Sequence, residues 1–357
     1  MTPGARTPRL ALGPARRRAL AGVATASALL LAACSAAPRP ASPAAAGSVA
    51  EGLDAPWSVA FHEGVALVSE RDSARVLELG DEGPREVGTI EGVVPGGEGG
   101  LLGLAVHEGE LFTFFTAEGE NRVERREIRG DAGALALGPA TTVIDGIPAA
   151  RTHNGGRIAF GPDGMLYVTA GDAGDRDSAQ DPDALSGKIL RLTPEGDVPD
   201  DNPVDGSPVW SLGHRNPQGI AWDADGTMYA SEFGQDTWDE LNVIEPGGNY
   251  GWPEAEGIAG NDDFIDPVQQ WEPDAASPSG IAVIGADLVV ANLRGERLRV
   301  VPLDDLGTST ELLQGELGRL RDVVAAPDGG VWVVTNNTDG RGSPRDGDDR
   351  IVRIDLG

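Results

Sequence analysis

Residues 161–169 read Gly161-Pro-Asp-Gly-Met-Leu-Tyr-Val-Thr169, an aspartate-glycine turn that runs directly into an apolar, strand-like segment. Asp-Gly between apolar runs is the strongest short hairpin signal, because glycine supplies the positive φ that the tight turn demands. A turn of this kind, acid-glycine or Gly-x-Asp before an apolar run, recurs five more times. It stands as Phe61-His-Glu-Gly-Val-Ala-Leu-Val, Val106-His-Glu-Gly-Glu-Leu-Phe-Thr-Phe-Phe, Asp223-Ala-Asp-Gly-Thr-Met-Tyr-Ala, Gly285-Ala-Asp-Leu-Val-Val and Ala326-Pro-Asp-Gly-Gly-Val-Trp-Val-Val. The turn glycines 64, 109, 164, 226, 285 and 329 lie 45, 55, 62, 59 and 44 residues apart. Six repeats of about 50 residues match the period of radially arranged β blades. The spacing predicts an all-β fold, a six-bladed β-propeller of four-stranded antiparallel blades, and the alternative is a β-sandwich with coincidental turns. The 51 glycines and 26 prolines exceed what a helical bundle tolerates. The nearest amphipathic stretch, Thr308 to Leu320, is interrupted by Gly315 and Gly318. A propeller funnels loops from every blade to one mouth, so functional residues are expected to be scattered along the chain.

Outside the repeats, charge and export signals bound the function. The 357 residues carry 57 acidic and 28 basic side chains, a formal charge of −29, which argues against nucleic acid. With 40% hydrophobic and 24% charged residues, neither disorder nor a multispanning membrane protein fits. Residues 1–33 contain no acid, present Arg16, Arg17 and Arg18, and then run apolar from Ala19 to Ala33, the pattern of a signal peptide. That run is too short to span a bilayer, which takes about 20 residues. It ends Leu31-Ala-Ala-Cys34, which resembles the lipobox of bacterial lipoproteins, with Cys34 as the lipidated residue. The alternative is an ordinary secretory signal with a bystander cysteine. Segment 34–48, rich in Ala, Pro and Ser, reads as a flexible tether, and 49–357 as the propeller domain. The expected location is exported and lipid-anchored on the outer face of the cytoplasmic membrane, at the cell surface or in the periplasm.

Three signals mark candidate chemistry. His62 and His107 precede acid-glycine turns at equivalent repeat positions and read as exposed turn residues. His153 differs, because it opens the polar run leading into the 161–169 repeat, where an imidazole is the best-matched general base near neutral pH. His214 lies in a donor-dense loop, Gly213-His-Arg-Asn-Pro-Gln-Gly. In a chain with one lysine, Lys188, the alternation of Arg319-Leu-Arg321 puts two guanidiniums on one strand face. With Arg215 and Arg294 in loops of other blades they would form a pocket for a small polyanion; scattered surface arginines are the alternative. The loops around Glu232–Glu240 and Gly247–Trp252 offer oxygen ligands suited to calcium. The acidic loops Asp172–Asp183 and Asp346–Asp349 read as solvated surface. No nucleotide-binding glycine motif, haem-attachment motif or hydrolase elbow is present.

Taken together, His153-Asn-Gly-Gly-Arg-Ile-Ala-Phe-Gly-Pro-Asp-Gly, Gly213-His-Arg-Asn-Pro-Gln-Gly, Asp239-Glu-Leu-Asn, Gly248-Asn-Tyr-Gly-Trp-Pro and Arg319-Leu-Arg-Asp-Val-Val-Ala-Ala-Pro-Asp-Gly resemble the pyrroloquinoline quinone (PQQ)-dependent soluble aldose sugar dehydrogenases of the glucose/sorbosone dehydrogenase type. The resemblance runs from Leu53 to Ile354 and implies a six-bladed propeller that oxidises aldoses at C1 to lactones and passes electrons to an external acceptor, a quinone or redox protein. It implies His153 as the base, Arg215 and Asn216 as cofactor contacts, and Arg319 and Arg321 as holders of the cofactor's carboxylates. Arg294 falls near a cation of relatives. The Gly234–Gln235 turn corresponds to carbonyls that bind calcium beside the cofactor, and Glu240 with the Tyr250 carbonyl resembles a further calcium site. Glu98 stands where relatives usually carry Gln, Thr152 where the glucose enzymes carry Asp, and no tyrosine follows Gly251-Trp-Pro at the usual spacing. Two other readings remain open: a calcium-dependent lactonase or other hydrolase on the same fold, needing no quinone, and a non-enzymatic extracellular binding propeller that has lost the cofactor.

Overall fold

The computed structural model describes residues 45–356. The signal segment 1–33, Cys34 and the tether up to residue 44 lie outside the described residues. Six antiparallel sheets follow one another along the chain, five of them built on a four-stranded meander and the sixth completed by an N-terminal strand. In the first blade the strands are Pro56–His62, Val65–Glu70, Arg75–Gly80 and Gly83–Thr89. The second blade carries an additional two-residue strand, Ala136–Leu137, beside its third. The architecture is the six-bladed propeller that the repeat spacing predicts.

Each Asp-Gly unit forms the hairpin between the first and second strands of its blade. In the third blade Ile158–Phe160 pairs with Leu166–Ala170, Phe160 opposite Leu166, with Gly164 at φ +76° in the turn. The turn aspartates are tied down by their own strands, for the Tyr167 hydroxyl donates to Asp163 and the Tyr229 hydroxyl to Asp223, both at 2.9 Å. His62 and His107 do flank these turns but are half-buried rather than exposed. His107 stacks on Phe160 of the next blade, ring centroids 4.2 Å apart.

One boundary needs correcting. Ala45–Ala50 is a strand, not tether, and pairs with Ile351–Ile354 as the outermost strand of the sixth blade. The two ends of the domain are thereby hydrogen-bonded in one sheet, which closes the ring. The sixth blade therefore includes Ala45–Ala50. Ala and Ser have weak strand preference, and only the open edge of Ile351–Ile354 recruits this segment.

The blades pack face to face through apolar clusters. Between the second and third, Phe112, Phe114, Leu166 and Val168 are fully buried, each large side chain contributing about 1.5–3 kcal/mol by leaving water. The six inner strands, Pro56–His62, Leu101–His107, Ile158–Phe160, Pro217–Trp222, Pro278–Ile284 and Leu320–Ala325, line a central channel with a cavity of about 390 Å³. They crowd closely, since a Cβ on Gly219 would lie 2.3 Å from the Ser279 carbonyl oxygen. The hairpins sit at the C-terminal ends of these inner strands. The loops that feed their N-terminal ends, and the loops joining second to third strands, therefore gather at the opposite end.

Candidate active site

At that end His153 lies on the loop feeding Ile158–Phe160, with its backbone at φ +59°. Its amide donates to Glu98 Oε2 at 2.9 Å, and its ring Nδ1 meets Asp172 Oδ1 at 2.7 Å. A carboxylate at Nδ1 keeps the hydrogen there and leaves Nε2 with a free lone pair. Asp172 is the residue that reading the sequence placed wrongly. It is fully buried, not solvated surface, and also accepts from the Gly174 amide at 2.7 Å and Trp252 Nε1 at 2.8 Å. Burial pushes its carboxyl up, but the hydrogen bonds from His153 and Gly174 outweigh this and hold it below the ordinary carboxylate value. The pair is an imidazole with a fixed tautomer, oriented by a buried carboxylate.

Around it the cations gather. Arg319 and Arg321 flank the start of the sixth inner strand, both buried. Arg321 donates to Gln218 Oε1 at 2.7 Å and Asn336 Oδ1 at 3.1 Å and meets no carboxylate at hydrogen-bond distance among the described residues, while Arg319 faces Asp339 at 3.3 Å. Burial pushes the Arg321 guanidinium down to about 9, and Arg319, Arg71 and Arg157 push the same way against Asp339. Arg71, paired with Asp72 at 2.7 Å, and Arg157 therefore lie near enough to oppose its charge, and both were missed. Arg157 was in plain view, four residues after His153. Arg71 carried no signal except its place in the loop joining the second and third strands of the first blade. Arg157 is held by Asp322 at 2.9 Å and lies over Trp57, 4.3 Å from the ring centroid.

Arg215 and Asn216 feed the fourth inner strand. Glu232 accepts both of their amides and bonds His214 Nδ1 at 2.8 Å. His214 is fully buried, bonded to Ser211 and stacked on Tyr250, so its place is structural. Arg215 Nη1 donates to the Gly234 carbonyl at 2.5 Å. Asn216 Oδ1 accepts from the Gly155 amide at 3.0 Å, which ties it to the His153 loop. Four buried donors of this region have no partner among the described residues: Arg157 Nη2, Arg215 Nε, Asn216 Nδ2 and Arg319 Nε.

The oxygen-rich loops are built differently from the cationic side. Glu256 Oε1 accepts the amides of Gln235, Asp236, Thr237 and Trp238, closing the turn after Gly234. Glu240 is buried, accepting from the Gly257 amide and Asn242, and burial together with Glu232 pushes its carboxyl up. The Tyr250 hydroxyl donates to Val243 O at 2.6 Å and accepts the Glu245 amide at 2.8 Å. Among the described residues no group of three or more His, Cys, Asp or Glu is arranged to hold a metal ion. Arg294 stands apart, exposed and paired with Asp274, in a rim pocket of about 350 Å³ shared with Gln235 and Trp238. Asp349, also read as surface, is fully buried and accepts from Thr335, Asn337 and Thr338, anchoring the loop that carries Asp339.

Residues 53–346 match the sequence profile of the Glucose / Sorbosone dehydrogenase family. The chain belongs to that family. Within it, the chain is 48% identical to the aldose sugar dehydrogenase of Streptomyces coelicolor, whose structure is that of the PQQ-bound form, with a TM-score of 0.84 over 88% of this chain and 98% of that one. It is 28% identical to an aldose sugar dehydrogenase of Escherichia coli across 81% of this chain and 89% of the relative. The apo-form structure of the soluble aldose sugar dehydrogenase from Escherichia coli is 26% identical, with a TM-score of 0.76 over 87% of this chain and 99% of that one.

Proposed function

We propose that this chain is a PQQ- and calcium-dependent dehydrogenase that oxidises aldose sugars at C1 to lactones and hands the electrons to an external acceptor. The observation that carries the reading is the pairing of a buried-carboxylate-oriented base, His153, with two buried guanidiniums, Arg321 and Arg215, that meet no carboxylate among the described residues. Arg321 with no carboxylate partner, together with the orphaned donors on Arg215, Asn216 and Arg319, fits a flat polyanion rich in acceptors. PQQ carries three carboxylates, and when bound it supplies the two-electron acceptor that side chains lack.

Lactone formation removes a proton from the C1 hydroxyl and a hydride from C1. His153 Nε2 is the group available for the proton, while Asp172 steadies the imidazolium that results. Arg319, Arg321 and Arg71 would hold the cofactor's carboxylates, and Arg215 and Asn216 its polar edge. The Gly234 and Gln235 carbonyls are the proposed calcium ligands beside it, with Glu240 and the Tyr250 carbonyl as a second set. Arg294 lies at the rim, placed to meet the outer part of a sugar or an acceptor. Export as a lipoprotein through Cys34 would put this chemistry on the outer face of the cytoplasmic membrane.

The test adds PQQ, calcium and then aldoses to protein lacking the first 42 residues, and follows bleaching of an artificial electron acceptor. Bleaching that needs both additions and disappears in Arg319→Ala/Arg321→Ala supports the dehydrogenase. Lactone hydrolysis with metal alone would favour a hydrolase. Absence of quinone binding would leave a binding propeller.

A further inference from the structure

Glu98 joins Asp72, Asp172 and Asp339 as a carboxylate in the mouth where the arginines gather. Its charge reaches both Arg215 and Arg71, so it lies within the field of the proposed cofactor site. Left alone, it would oppose a polyanion. Its two oxygens, however, are divided between two tasks. Oε2 accepts the His153 amide at 2.9 Å, and Oε1 accepts Arg341 Nη1 at 3.1 Å. The Glu98 amide also donates to the Arg151 carbonyl at 2.8 Å, zipping the two loops together. Gly97 permits this closeness, since a Cβ there would lie 2.0 Å from that carbonyl oxygen. Arg341 arrives from the sixth blade, 243 residues away, on the loop that Asp349 anchors. Its own amide is pinned to Asp339 at 2.9 Å.

We propose that Glu98 and Arg341 form a charge-cancelling clasp, in which the carboxylate fixes the strained backbone of the base and the guanidinium removes the charge that carboxylate would otherwise present to an anionic cofactor. The charge half rests on the quinone reading above; the positioning half does not. Glutamine at position 98 keeps an acceptor oxygen for the His153 amide and discards the charge, so it separates the two halves, whereas alanine removes both.

The charge half is read by equilibrium dialysis of PQQ with calcium and no sugar. Arg341→Ala should weaken binding by at least about tenfold, as expected for exposing a like charge in a partly buried mouth. Arg341→Lys should retain binding, and Glu98→Gln/Arg341→Ala should recover it to within about threefold of wild type, the signature of coupled rather than additive sites. Wild-type affinity in Arg341→Ala, or a double variant no better than the single one, overturns it. The positioning half is read without cofactor, by hydrogen exchange of the segment containing the His153 amide. Exchange should stay slow in Glu98→Gln and rise at least about tenfold in Glu98→Ala. Equal exchange in wild type and both variants overturns that half. If the wild type itself binds no PQQ, the proposed function and the charge half fail together, while the exchange result still decides the other.

Discussion

Replacing Asp172 by asparagine changes one atom where three N–H groups converge. Oδ1 faces His153 Nδ1 and the Gly174 amide, each at 2.7 Å, and Oδ2 faces Trp252 Nε1 at 2.8 Å. An amide offers one oxygen and one NH₂. If its oxygen faces His153 and Gly174, the NH₂ opposes the indole N–H, donor against donor in a fully buried place. If the NH₂ faces His153, the ring hydrogen must move to Nε2, and the lone pair that takes the proton is lost. Both arrangements also remove the charge that favours the imidazolium. The unsatisfied donor should lower the unfolding free energy by about 1–3 kcal/mol. The larger effect should fall on catalysis, a drop in kcat/KM of about 10²–10⁴, the range for loss of a working general base and equivalent to about 2.7–5.5 kcal/mol of transition-state stabilisation. Steady-state turnover of the reconstituted enzyme measures it, with PQQ affinity as the control. A kcat/KM within about threefold of wild type would refute the assignment of Asp172 as orienter of the base.

Acid should act through the same residue. The folded-state pKa of Asp172 is depressed below its ordinary 3.8, so its contribution is present above that value and lost as pH falls through the folded one. The stability gap between wild type and Asp172→Asn should therefore be full at about pH 6 and shrink by about pH 3; urea unfolding across that series checks it, and a constant gap contradicts it. Lys188, the sole lysine, is fully buried and donates to the carbonyls of Ser178, Ala179 and Ser186 at 2.7–3.1 Å. An amine-acylating reagent should leave it unmodified in folded protein and label it after denaturation, as peptide mass mapping would show; labelling in the native state would contradict its burial. Removing Ala45–Ala50 should cost about 2–6 kcal/mol, from roughly four lost pairing positions, and expose a strand edge that promotes aggregation. Thermal unfolding and light scattering of chains beginning at residues 43 and 51 compare the two, and equal stability would show that the closing strand contributes nothing.

Much of the fold was legible because its instructions are local. Asp163-Gly164 and its five counterparts specify hairpins through turn geometry carried by adjacent residues, and their spacing counts the blades. His153, Arg319 and Arg321 stood out by residue type and alternation, supported by family resemblance. The misreadings share one cause. Asp172 and Asp349 sit in acidic runs that look solvated, because nothing in neighbouring residues announces a partner.

By itself, then, the sequence determined the number of blades, the hairpin that opens each and the membership of one family, since turn chemistry and alternation act over a few residues. Only the tertiary structure decided which loops share the mouth. Pairing of the first two strands of the third blade sets Asp172 against His153 across 19 residues of chain, and ring closure sets Arg157 against Asp322 across 165 and Glu98 against Arg341 across 243. It also made Ala45–Ala50 a strand by offering it the last open edge. Contacts of that range depend on the geometry of all six blades at once, and no window of consecutive residues contains them.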